Sequence, residues 1–102
     1  MTTTENNWEI ASTLQGNGVS VRFFQGSHNL DGFSIITGHI PYVAINTRRS
    51  LATQRYVAQR ELSHILLGHL SEGKCSLFAS DHQRKQAETK AKEAMDVRGA
   101  FQ

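Results

Sequence analysis

One cysteine and one proline in 102 residues set the first limits on this chain. Cys75, standing alone, can form no disulfide within the chain, which fits a reducing compartment. A single proline beside eight glycines excludes a collagen-like or low-complexity chain. No apolar run reaches the ~18–20 residues of a membrane-spanning helix. The opening MTTTENN lacks the basic and apolar stretches of a signal peptide. The expectation is a soluble cytoplasmic protein without a membrane partner.

Charge of one sign is scarce as well. Eleven Lys and Arg against nine Asp and Glu give a net charge of +2, too mild to mark a nucleic-acid binder. The distribution is more informative. Arg48, Arg49, Arg55 and Arg60 fall in a stretch with no acidic residue. Arg48, Arg49 and Arg55 are candidate contacts to phosphate or to an acidic partner surface, beside the plainer reading of a solvated face near a helix start.

What is present suits one small globular domain spanning 1–102, since this length does not build two independent cores. Residues 5–15 carry Trp8, Ile10, Ala11 and Leu14 near helical spacing and end at Gly16-Asn17-Gly18. Three β-rich runs follow, at 19–24, 32–37 and 40–46, with short links that suggest an antiparallel meander. Pro41 falls among the first residues of the third run, where a missing N–H is tolerated. From Ser50, a good N-cap, the period becomes helical. That helix is apolar on two sides, so it should lie between the sheet and another helix, with Arg60 and His64 partly buried. After a loop over 71–80, a last helix starts with Asp81 as its cap and ends at Gly99. Its Ala87, Ala91, Ala94 and Met95 form a thin stripe suited to close packing.

The chemistry-bearing stretch is Arg60-Glu61-Leu62-Ser63-His64-Ile65-Leu66-Leu67-Gly68-His69. With histidine in place of Arg60 it would read His-Glu-x-x-His, in which two imidazoles on one helix face chelate zinc and the glutamate is general base toward metal-bound water. Together with the strand end Ile45-Asn46 and the Leu-Leu-Gly-His ending, the pattern resembles the ImmA/IrrE family of zinc-dependent peptidases. The resemblance runs from about Val19 to the last helix. It implies an α+β fold with a zincin-like core, a three-stranded mainly antiparallel sheet on the motif helix flanked by N- and C-terminal helices. It also implies Glu61 at the base position and His64 at the second ligand position. The family's third, acidic ligand aligns with Gln86, and Glu88 lies close enough in sequence to substitute.

Arg60 and Gln86 depart from the ligand pattern. A guanidinium offers no lone pair and stays protonated. Its repulsion with a dication at ~4 Å is on the order of 8 kcal/mol at an effective dielectric near 20. Such a cation should instead be paired, with Glu88 or Glu93 the expected partners and adjacent Glu61 less favoured, because neighbouring helix residues point ~100° apart. His64 and His69 would lie about 140° apart on a continuous helix, which separates them. A different metal set of His64, Cys75, Asp81 and His82 matches no zinc signature. Cys75 has no sequence cue as a nucleophile, and His28 and His39 read as loop residues.

The expectation is therefore a degenerate peptidase relative without metal that acts by protein–protein binding. The resemblance places such proteins in phages and mobile elements of bacterial hosts, with a helix-turn-helix repressor as partner and antirepression as outcome, by way of the cleft beside the sheet edge. The alternatives are an active zinc endopeptidase using His64 with Glu88 or His69, and a small basic nucleic-acid-binding module.

Overall fold

In the computed structural model, residues 5–27 and 29–98 are described, with side chains for 7–27 and 29–95, so His28 and Gly99 lie outside. The order is α1 (Glu5–Gly16), β1 (Ser20–Phe24), β2 (Gly32–Thr37), β3 (Ile40–Asn46), α2 (Leu51–Leu66), a 3-10 turn (Ser76–Phe78) and α3 (Asp81–Arg98). The fold is α+β, with three helices and a small mixed sheet. None of the described helices is long and apolar enough to cross a membrane.

The sheet order is β1-β3-β2, which corrects the expected meander. β2 and β3 form the one hairpin, closed by Gly38 (φ 59) and His39 (φ 64). Two successive positive-φ residues make the tight turn that matches strand twist. β1 instead runs parallel to β3, with Val21 opposite Val43 and Phe23 opposite Ile45. The link from β1 must therefore cross the end of β3, and Asn46 is what holds it there. Its buried amide donates to the carbonyls of Ser27 and Leu30, both at 2.8 Å, and its Oδ1 accepts from the N–H groups of Gly26 and Arg48. Four bonds from one side chain satisfy a loop that sheet bonding would leave orphaned. Pro41 precedes the first residue paired with β1, so no β1 residue faces its missing N–H.

Helices cover one sheet face. Ile10, Leu14, Val19, Val43, Ile45, Val57, Ala58 and Leu62 form the core. In α1 the buried positions are Asn7, Ile10, Ala11 and Leu14, spaced i, i+3, i+4 and i+7, whereas Trp8 lies off that stripe and is 67% exposed. Asn7 donates to Gln54 of α2 at 3.0 Å, so the polar member of the stripe is satisfied. α2 lies between the sheet and α3, as its two apolar sides required. Ser50 caps it by accepting from the Thr53 N–H. The stripe of α3 seats Ala87 and Ala91, both fully buried.

The cap of α3 is Ser80 rather than Asp81. Ser80 Oγ accepts from the Gln83 N–H while Gln83 Oε1 accepts from the Ser80 N–H, a reciprocal capping box. Asp81 is then the first helical residue, favoured there by the helix dipole.

Candidate functional site

α2 carries Glu61 to the inner face of β2. The carboxylate is 2% exposed, and both of its oxygens are engaged. Oε1 accepts from Ser34 Oγ at 2.7 Å, and Oε2 accepts from Arg60 Nε at 2.8 Å. The partner of Arg60 is thus its own neighbour, not Glu88 or Glu93. Their Cα–Cβ bonds diverge by ~100°, but the long arginine chain bends back so that Nε, partway along it, meets the carboxylate. The guanidinium, 21% exposed, also lies 6.0 Å from the Tyr56 ring centre.

Arg60, Glu61 and His64 line one pocket of about 180 Å³ together with Gly32, Ser76, Leu77, Arg84 and Glu88. The carry-over positions Arg60, Glu61 and His64 therefore do converge, and Glu88 of α3 joins them. The proximity of Glu88 is felt electrostatically: burial first and the Glu88 carboxylate second hold the Tyr56 hydroxyl above its usual range.

Gln86 does not line this pocket. Its Oε1 meets His69 Nε2 at 3.0 Å, and His69 Nδ1 meets His64 Nδ1 at 3.0 Å. The two histidines are brought together because α2 stops at Leu66. Gly68 adopts φ +74, and the His69 N–H bonds back to the His64 carbonyl at 3.0 Å. That αL turn returns His69 to the helix end, so the separation expected on a continuous helix does not hold. The tautomers are assigned from the network: Gln86 Oε1 only accepts, so His69 Nε2 carries a proton and His64 Nδ1–H donates to His69. His64 Nε2 keeps its lone pair. Burial chiefly pushes His64 below the usual histidine value; His69, Arg60 and Arg84 add to this, and Glu61 opposes it.

The donor set does not suit zinc. The first ligand position holds a cation with no lone pair, the glutamate is tied to that cation and to Ser34, and Gln86 is spent on His69. Among the described residues, no group of three or more His, Cys, Asp or Glu is arranged to hold a metal, the set of His64, Cys75, Asp81 and His82 included.

The sheet edge beside the pocket is covered by the chain itself. Segment 72–76 runs along the free side of β2, with Ile35 bridging Cys75 and Ile36 bridging Glu72. The Ser34 N–H donates to Ser76 Oγ at 2.9 Å and the Gly73 N–H to the Ile36 carbonyl at 2.6 Å. Glu72 clamps the hairpin by accepting from the N–H groups of Gly38 and His39. Over these residues the β2 edge is therefore already paired and not open to strand addition.

The three arginines proposed as phosphate or partner contacts fare differently. Arg48 is exposed, Arg49 is ion-paired with Asp31 at 2.9 Å, and Arg55 is half-buried on α2.

Sequence reasoning missed Ser76 and Arg84, which line the pocket, and Ser34, which holds Glu61 from behind it. Ser34 had a legible signal: it is the lone polar residue on the helix-facing side of β2. It also missed the sheet's outer face, where Phe24, Phe33, Ile35, Tyr42 and Ala44 line an open apolar depression of about 480 Å³ and Arg22 lies over Tyr42. No protein-family model, curated protein or solved structure matches this chain.

Proposed function

We propose that this protein is a pseudo-peptidase of the ImmA/IrrE type that acts by binding a protein partner rather than by hydrolysis. The observation that carries the reading is the Arg60–Glu61–Ser34 lock. A general base needs a lone pair aimed at the water it deprotonates, and this carboxylate is 2% exposed with each oxygen already held by a donor. Here one oxygen holds a hydroxyl and the other a guanidinium, at the place where a catalytic site would need a metal. The partner class is a helix-turn-helix repressor, and the outcome is release of repression in the cytoplasm of a bacterial host, as the motif resemblance implies. The hydrolytic alternative rests on His64 and Glu88 sharing the pocket with Glu61.

The test uses a helix-turn-helix repressor that co-purifies with this chain, bound to its operator DNA. Under this proposal the protein releases the repressor uncleaved, EDTA changes nothing, and Glu61→Gln retains the effect. Appearance of repressor fragments, abolished by EDTA and by Glu61→Gln, would replace binding with catalysis.

A further inference from the structure

The pocket at Arg60 retains hydrogen-bonding capacity that the fold does not use, and that capacity is of two kinds. On the donor side, Arg60 spends only Nε on Glu61, so its two terminal NH₂ groups have no partner among the described residues. Ser76, 5% exposed, accepts from the Ser34 N–H, while its own hydroxyl proton is uncommitted. Arg84 lines the same wall and, among the described residues, bonds only the Leu77 carbonyl and, loosely, Asp81. On the acceptor side, His64 is 2% exposed, and its Nε2 has no partner among the described residues. Glu88 is exposed at the rim and belongs to no ion pair among the described residues.

These atoms reach the cavity rather than lying sealed from water, so a ligand of matching polarity can replace their hydration. The terminal edge of a guanidinium fits the two oxygens of a carboxylate. The acceptors require the same ligand to carry a donor nearby. Two arginines against two carboxylates make the wall close to neutral, which disfavours a dianion such as phosphate. The volume, about 180 Å³, is below the usual range for cofactors and suits a fragment of amino-acid size.

We propose that this pocket binds an α-carboxylate with a nitrogen donor on the adjacent carbon, as presented by the C-terminal residue of a peptide or by a free amino acid. The carboxylate pairs with Arg60 and Arg84, and the nitrogen donates toward His64 Nε2 and Glu88. The proposal deepens the reading of this site as a binding pocket and rests on it.

The experiment is a titration of the ¹⁵N-labelled full chain, at neutral pH and fixed ionic strength, with N-acetylglycine, glycine, propionate and glycinamide. It reads the Arg60 Nε–H and His64 ring signals, and zinc is assayed on the same sample. Saturable shifts with N-acetylglycine or glycine are expected, with propionate weaker by about fivefold or more and glycinamide without effect, as each lacks one half of the ligand. Tighter binding of N-acetylglycine identifies a peptide terminus; tighter binding of glycine identifies a free amino acid. The exposed substitutions Arg84→Gln and Glu88→Gln leave the core intact and should each weaken binding about fivefold. Equal binding of propionate, no saturation, or indifference to both substitutions in a zinc-free sample overturns the proposal and leaves the reading of the site untouched. One zinc per chain overturns that reading itself.

Discussion

Arg60 Nε and Glu61 Oε2 stand 2.8 Å apart, and the carboxylate they share is almost wholly removed from water. Nearest neighbours on a helix thus make the charge pair on which the buried end of α2 depends. Removing the guanidinium leaves a buried carboxylate with one neutral donor. Arg60→Ala should therefore cost about 2–4 kcal/mol, between the values for exposed and buried pairs because Arg60 retains some contact with solvent. Glu61→Gln keeps the shape and the Ser34 contact and frees a guanidinium that can rehydrate, so about 1–2 kcal/mol is expected. Urea unfolding of both variants measures the order. Equal losses, or a loss under 0.5 kcal/mol for Arg60→Ala, would contradict the pairing.

His64 gives the fold a pH dependence of definite sign. Its folded-state value is depressed, chiefly by burial, so below the ordinary histidine range the unfolded chain binds the proton more readily. Stability from this residue is fully present above about pH 6.5 and falls as the pH drops through the histidine range toward the folded value. Urea midpoints between pH 7.5 and 5.5 should decline in the natural protein and decline less in His64→Asn. Parallel slopes in the two would remove His64 as the cause.

Gly32, at the start of β2, lies against β3 and α2 with no room for a side chain. A Cβ there would strike the Ala44 carbonyl oxygen and sit 2.7 Å from Val57 Cγ1. The first of these is backbone of the central strand and cannot swing aside. Gly32→Ala should lower stability by about 1–3 kcal/mol, as overpacking does. Thermal unfolding checks it, and an unchanged midpoint would show that β2 can shift away from α2 without cost.

Much of the fold was legible because its signals are local. The change of period at Ser50, the Gly16-Asn17-Gly18 stop and the Gly38-His39 turn each set a boundary within a few residues. Strand order was not legible, since it depends on Asn46 gathering carbonyls from a loop some 16–19 positions away, a contact that no alternation pattern encodes. At the site, the shared face of Arg60 and His64 followed from their i, i+4 spacing, whereas Glu88, on α3, entered only through the motif resemblance. The His64–His69 contact did not follow from spacing, because it required α2 to end at Leu66 and Gly68 to take a left-handed turn. The choice of Glu61 as the partner of Arg60 is illegible for a related reason: helix angles fix where Cβ points, not where a four-bond side chain ends.

The central claim is that Arg60 occupies this site in place of a metal ligand. It is tested most directly by zinc per chain, measured by mass spectrometry on protein purified from zinc-supplemented cells, beside Arg60→His prepared in the same way. The account predicts well under one zinc per chain in the natural protein and a thermal midpoint unmoved by EDTA. Arg60→His rebuilds His-Glu-x-x-His and reports whether the remaining residues still accept metal. One tightly held zinc per natural chain, removed by EDTA with a fall in thermal midpoint, would contradict the account.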